Sequence, residues 1–165
     1  MLTDEQKSLV DECIYLRGRI ITSYSQVEFI LADISVILDL KFPYLIKKRI
    51  AGAKAIAERA GYESYRDDLH SICDGLGEFD EIRVFMAHGW VSVEIDKHGQ
   101  NIIEFLRYER LEDGQFRLVR GGTDIVRLRQ AADDITEYCE KALRLFRKIY
   151  SEKNLENSQT KRYSP

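Results

Sequence analysis

The hydrophobic residues at the start of the chain repeat with the period of a helix. Residues Thr3 to Gln6 have the form of a capping box, in which the side chains of the first and last residue each accept a hydrogen bond from the backbone N–H of the other. This box predicts the start of a helix that continues to about Leu40. Pro43 suits the first turn of a second helix, and Gly61 suits its end.

The period of the pattern changes from 3.6 to 2 residues after a third helix. Ser64 predicts the start of that helix, which runs to about Ala87, and Gly89 marks its exit. Apolar and polar residues then alternate, and turn residues interrupt them at Asp96-Lys97-His98-Gly99 and Asp113-Gly114. The pattern predicts three antiparallel strands over about residues 90–120.

A last helix is predicted after these strands, with Thr123 or a neighbouring residue as its cap. Its apolar residues form a seam at spacings of four and three: Leu128, Ala132, Ile135, Cys139, Ala142, Phe146 and Ile149. This seam and the apolar stripe of the first helix offer more surface than the other elements cover, which predicts a homodimer. Residues 1–150 are predicted to form a single domain, and residues 151–165 a flexible polar tail.

Composition narrows the class of protein. The chain has 165 residues and a formal net charge of -3. A domain that coats nucleic acid with positive charge is usually basic overall, so any such contact must come from a local patch. No run approaches the roughly 20 apolar residues of a membrane span, and the start lacks the pattern of a signal peptide. The three cysteines are far apart and odd in number, which predicts reduced thiols in a cytoplasmic protein without membrane contact.

Arg83 is the charged residue that fits its position least well. At about 100° per residue it lies in the middle of the third helix's apolar stripe. The other members of that stripe are Tyr65, Leu69, Ile72, Leu76, Phe79, Met86 and Trp90. Because desolvating an unpaired charge costs several kcal/mol, Arg83 must be paired or border a crevice or interface. Glu28 lies on the apolar stripe of the first helix and is the predicted partner. A purely structural ion pair explains both residues equally well.

His88 follows Arg83 by five residues, which places the two side chains about 140° apart on an ideal helix. They can serve one site if the helix ends near Ala87 and the imidazole turns back, which Gly89 favours. Alternatively, a second subunit completes the site. A structural explanation also exists, since a histidine cation complements the negative end of a helix. His70 and His98 are assigned to structural roles of this kind.

The segment from Arg83 to Gly89 resembles the Arg-x4-6-His signature of the HEPN superfamily. In that family the motif lies toward the end of a helix of an all-helical core. A glutamate within an amphipathic early helix, as Glu28 is, also resembles many members. The resemblance covers about residues 10–90 and 123–150. The resulting prediction is a mainly α fold, a HEPN-like helical bundle with an inserted three-stranded antiparallel β-sheet before its last helix.

This resemblance implies metal-independent cleavage of RNA at a site shared by two subunits, of a stress-response or defence type. Arg83 would hold phosphate oxygens, His88 would act as general base or acid, and Glu28 would orient Arg83. No metal or cofactor takes part in such a reaction. Besides RNA and a second copy of the chain, an antitoxin or other regulatory protein is a candidate partner.

The alternative is a non-catalytic helical interaction or regulatory module, in which Glu28, Arg83 and His88 stabilise a fold or a dimer. Val84 follows Arg83, where nuclease members commonly have a polar residue, often asparagine. Together with the acidic balance of the chain, this favours the alternative.

Other basic residues could contact phosphates, with Tyr108 or Trp90 stacking on bases. They are Lys47, Lys48, Arg49, Arg117, Arg120, Arg127 and Arg129. Because acids are interspersed among them, each run is interpreted as a solvated face.

Overall fold

A computed structural model describes residues 3–41, 45–95 and 97–155. It is mainly helical, with one three-stranded antiparallel sheet. The elements are α1 (Asp4–Ile37), α2 (Ile46–Lys54), a 3-10 turn (Glu63–Tyr65), α3 (Arg66–Glu78), α4 (Asp80–His88), β1 (Trp90–Ile95), β2 (Asn101–Arg110), β3 (Phe116–Thr123) and α5 (Ile125–Glu152). The predicted mainly α class with a sheet before the last helix is therefore confirmed.

The capping box at the start of α1 is present. The Thr3 backbone N–H donates to Oε1 of Gln6 at 3.0 Å, and the Gln6 N–H donates to Oγ1 of Thr3 at 3.2 Å. At α5, Asp124 is the capping residue, because its carboxylate accepts the backbone N–H of Arg127 at 2.8 Å. Pro43, predicted to begin the second helix, lies outside the described residues.

Two helices are shorter than predicted. The second ends at Lys54, and turns lead from there to Gly61, which has a φ of +84°. The single helix predicted over residues 64–87 is two helices, α3 and α4, which are separated at Phe79. Gly75 and Gly77 shortly before this break lower the helix propensity of the segment.

The sheet has the strand order β1-β2-β3. In its register Trp90 lies opposite Leu106 on β2, and Leu106 lies opposite Arg120 on β3. The Asp113-Gly114 signal does mark the turn of the β2–β3 hairpin, where Gly114 has a φ of +85°, a conformation that favours glycine.

The described residues divide into two compact units, and α1 and α5 contribute to both. Among the described residues, the first unit draws on 3–25 and 78–137, and the second on 26–77 and 138–155. A single domain over residues 1–150 stays a prediction. The first two residues of the predicted tail, 151 and 152, belong to α5, which runs to Glu152. Residues 156–165 lie outside the described part, so the tail stays a prediction.

Each unit has its own buried apolar residues. In the first unit they include Leu16, Ile20, Tyr24, Met86, Ile103, Phe105, Leu128 and Ile135, and in the second Leu31, Ile34, Ile56, Leu69, Ile72, Leu76, Phe146 and Ile149. All seven residues of the predicted α5 seam are buried within the chain itself. The seam is thus not free to bind a partner, and the prediction of a homodimer loses this support.

In the second unit, α3 and α5 approach closely at Gly75. A Cβ at this position would lie 2.5 Å from the ring of Tyr138, so only glycine fits without displacing that ring. The Tyr138 hydroxyl donates to the backbone carbonyl of Ile72 at 2.6 Å. The glycine and this hydrogen bond together set how the two helices pack.

Among the described helices, α1 alone is long and apolar enough to cross a membrane, judged by length and composition. Its most apolar window of 18 residues has a mean hydropathy of 1.4. The sequence itself predicts no membrane span, because no uninterrupted run approaches the roughly 20 apolar residues that a span requires. The core helix of a soluble protein passes the same test. Of that window 39% is buried, and the side chains of Ile20, Tyr24 and Val27 are fully buried.

The three cysteines lie on three different helices, and all are buried. Burial raises the pKa of the Cys13 and Cys139 thiols, and it raises that of Cys73 to about 12. The thiolate is the form that reacts. We therefore expect a thiol-directed chromogenic reagent at mildly alkaline pH to label the cysteines no faster than the protein unfolds, and to label all of them promptly in denaturant. Rapid labelling of any cysteine in the native protein would contradict this arrangement.

Candidate functional site

Helix α4 carries both residues of the proposed motif, and its ends are well defined. Asp80 and Glu81 lie in its first turn, where negative charge is favourable. At its other end Gly89 has extended backbone (φ -79°, ψ 142°), and its N–H donates to the Phe85 carbonyl at 2.8 Å. A Cβ at Gly89 would lie 2.5 Å from that carbonyl oxygen. Glycine thus allows the chain to pass directly from α4 into β1.

Arg83 belongs to a network with Asp80 and Tyr24, all in the first unit. Its guanidinium forms an ion pair with the Asp80 carboxylate and lies 5.2 Å from the centroid of the Tyr24 ring. The Tyr24 hydroxyl donates to the same carboxylate at 3.2 Å. The side chains of Arg83 and Asp80 are only 23% and 25% exposed. These contacts hold the guanidinium in one place while leaving part of it accessible.

Two basic residues lie at the C-terminal end of α4. Arg17 on α1 donates to the Ala87 carbonyl at 3.4 Å, and His88 is the last residue of the helix. Both positions complement the negative end of the helix dipole. His88 itself is exposed and accessible to a ligand.

A site within one chain that contains both Arg83 and His88 requires α4 to end before His88, and α4 does not end there. It continues through His88, and Gly89 still makes the helical hydrogen bond. Arg83 and His88 therefore lie about 140° apart around the same helix. Within one chain they lie on different sides of α4, so a site that contains both requires a second subunit.

Glu28 lies in the second unit and has a different partner from the predicted one. Its carboxylate accepts from Arg49 on α2 at 2.5 Å, and the two side chains are 24% and 20% exposed. Arg83 is paired with Asp80 in the first unit. A role for Glu28 in orienting Arg83 stays a prediction.

Asp80, Tyr24 and Arg17 are residues that reasoning from the sequence did not identify. One signal was present for Asp80, because it precedes Arg83 by three residues and thus lies on the same side of the helix. No local pattern indicates Tyr24 or Arg17, since both reach α4 from α1.

The basic residues singled out above on the sheet and on α5 are exposed and lie beside acids. Arg117 pairs with Glu109 at 2.8 Å, and Arg120 pairs with Glu104 at 3.3 Å. The others pair as Arg127 with Asp124 and Arg129 with Glu12. The Glu12 pair is bidentate, and hydrogen bonding to Arg129 holds the pKa of the Glu12 carboxyl below its usual range. This pairing agrees with the interpretation of these runs as solvated faces.

A cleft of about 300 Å³ lies in the first unit, between α4, the sheet and the start of α5. It is lined by Glu78, Glu81, Ile82, Phe85, Met86, Phe105, Gly121, Gly122, Thr123, Arg127, Leu128 and Ala131. Arg83 and His88 are not part of this lining. The cleft is thus separate from the predicted catalytic pair.

In residues 3–41, 45–95 and 97–155 no group of three or more His, Cys, Asp and Glu side chains could hold a metal ion. Comparisons of the chain with protein-family models, with curated proteins and with solved structures find no match.

Proposed function

We propose that this chain is a HEPN-like protein that binds and cleaves RNA, without a metal, at a site built from two copies of α4. The contacts and the exposure of the two motif residues, Arg83 and His88, support it most strongly. Arg83 is held in place by Asp80 and Tyr24 and is partly accessible, and His88 is exposed where α4 ends. A fixed cation and an accessible imidazole are the groups that such a reaction requires.

The proposed reaction uses the 2′-hydroxyl of RNA as the nucleophile. Its oxygen forms a bond to the adjacent phosphorus while the bond from phosphorus to the 5′-oxygen breaks, which leaves a 2′,3′-cyclic phosphate and a 5′-hydroxyl. One histidine takes the proton of the 2′-hydroxyl, and another gives a proton to the leaving 5′-oxygen. Arg83 donates to the non-bridging oxygens, whose charge grows in the transition state.

A homodimer follows from this chemistry and from the angle between Arg83 and His88. The reaction needs one base and one acid, whereas α4 supplies a single histidine. A two-fold axis near the end of α4 would bring two histidines and two arginines to one site. A regulatory protein of the antitoxin kind would act by covering the ends of both helices, and a cytoplasmic location would give access to RNA.

The second candidate function is a non-catalytic interaction or regulatory module. The ion pairs favour it, because Arg83 pairs with Asp80 and Glu28 with Arg49, each within its own unit. In this case the motif residues stabilise the fold, and the protein has no activity on RNA.

The two functions differ in what the purified protein does to single-stranded RNA in EDTA. We expect cleavage to products that end in a 2′,3′-cyclic phosphate, identified by mass, at a rate that falls steeply when dilution separates the subunits. An oligonucleotide of the same sequence with deoxyribose throughout is the matched control and should stay intact. Intact RNA of every base composition at dimer-forming concentrations would support the non-catalytic module, and cleavage only with added Mg²⁺ would contradict a metal-free site.

A further inference from the structure

The buried residues of the sheet in the first unit lie on one face, and the opposite face is half-buried to exposed. Ile103 and Phe105 of β2 are buried, and on their side the ring of Phe85 lies against Gly121 of β3. The alternate residues of β2 point to the opposite face, since side chains along a strand alternate. That face carries Ile102, Glu104, Leu106, Tyr108 and Arg110 from β2, with their partners Ser92, Glu94, Trp90, Arg120, Leu118 and Phe116 on the neighbouring strands.

Three aromatic side chains follow one diagonal of this exposed face, one on each strand. Trp90 on β1 lies opposite Leu106 on β2, and Leu106 precedes Tyr108 by two residues. Tyr108 in turn lies opposite Leu118 on β3, and Leu118 follows Phe116 by two residues. Diagonal neighbours of this kind are about 7–8 Å apart. Trp90 and Tyr108 are each 71% exposed and Phe116 is 67% exposed. Three large rings therefore face solvent in a row, although burial would be favourable for each.

Charge is distributed unevenly on the same face. The half that holds the aromatic diagonal also carries the cations, Arg110 and Arg120, and its other positions are the apolar Leu106 and Leu118. The carboxylates of this face, Glu94 and Glu104, belong to the opposite half. Glu104 contacts Arg120 at 3.3 Å, yet the arginine side chain is 67% exposed. Two further acids, Glu112 and Asp113, lie in the hairpin turn beyond the strands.

We infer that this half of the sheet is a stacking surface for single-stranded RNA. Aromatic rings accept unstacked bases of any identity, and flanking arginines contact the phosphates that connect those bases. The surface begins at Trp90, two residues after His88, so a strand stacked on the diagonal leads to the end of α4. The inference rests on the proposed function and extends it, because it assigns the binding of unpaired RNA to the sheet and gives the direction from which the strand approaches α4.

Trp90 is the single tryptophan of the chain and reports directly on this surface. We expect a single-stranded RNA oligonucleotide to quench its fluorescence in His88→Ala protein, in which RNA stays intact, and a fully paired duplex to quench it far less. Tyr108→Ser and Phe116→Ser should each weaken binding by roughly 5- to 150-fold, the effect of losing one stacked base. Arg110→Gln should lower the slope of log affinity against log salt by about 0.7.

Tyr15→Ser is the matched control, because Tyr15 is 64% exposed on α1 in the same unit, and the affinity should be unchanged. Wild-type affinity of Tyr108→Ser would overturn the inference. The outcomes separate the two proposals. If the wild type cleaves RNA but Trp90 fluorescence does not change on binding, the catalytic function stands and the stacking surface is contradicted. If RNA quenches Trp90 but the wild type does not cleave it, the stacking surface stands and the catalytic function is contradicted.

Discussion

Replacing His88 by alanine is expected to abolish RNA cleavage and to leave the protein nearly as stable as the wild type. The side chain is exposed at the end of α4, so its removal costs only the interaction with the helix dipole, about 0.3–1 kcal/mol. A residue that moves protons typically contributes about 10²- to 10⁴-fold to the rate. In a homodimer the substitution removes both the base and the acid, which places the loss at the upper end. The rate of cleavage and the midpoint of urea unfolding measure the two effects.

His98→Ala provides the control for this prediction, because His98 is also an exposed histidine of the first unit, in the turn between β1 and β2. It should cleave RNA at the wild-type rate. Imidazole added to the buffer should restore part of the activity of His88→Ala, since a free base can occupy the vacated position. If both variants remain fully active, His88 has only the structural role and another group moves the protons.

Replacing Arg83 by alanine should lower both activity and stability. Loss of a donor that stabilises the transition state costs about 10²–10³ in rate. The substitution also leaves the Asp80 carboxylate, which is only 25% exposed, without its ion pair. Breaking a fully buried pair costs about 3–5 kcal/mol, and because both side chains here are about a quarter exposed we expect roughly 1–3 kcal/mol. Urea unfolding and the rate of cleavage, measured on the same preparations, give both values.

Two milder variants separate the catalytic role of Arg83 from its structural role. Arg83→Lys retains the charge near Asp80 but loses the planar fork that binds two phosphate oxygens, so it should be nearly as stable as the wild type and far less active. Tyr24→Phe removes the hydroxyl that donates to Asp80 and keeps the ring beneath the guanidinium, at a cost of about 1 kcal/mol. It should remain active. Wild-type cleavage by Arg83→Lys would show that the arginine serves only the fold.

Local patterns along the sequence were sufficient for most of the secondary structure. The capping box places the start of α1, the change of hydrophobic period places the sheet after Gly89, and Asp113-Gly114 places a hairpin turn. These features depend on residues a few positions apart, whose preferences act within one element. The buried seam of α5 follows in the same way from its spacing.

The stripe of the third helix shows where a local pattern stops being sufficient. Tyr65, Leu69 and Ile72 are buried as the stripe predicts, but Trp90 is 71% exposed. The chain leaves the helix at Gly89, and Trp90 takes its direction from the pleat of β1, so the helical phase no longer applies to it.

The sequence alone determined which residues carry charge on apolar faces, and the tertiary structure decided what those charges contact. Arg83 and Glu28 both needed a partner, because an unpaired charge is costly away from water. Several acids and bases met that need equally well in the sequence, and the packing selected Asp80 for Arg83 and Arg49 for Glu28. An ion pair depends on distances of a few ångströms between side chains from separate turns or helices, and the period of one helix does not contain that information.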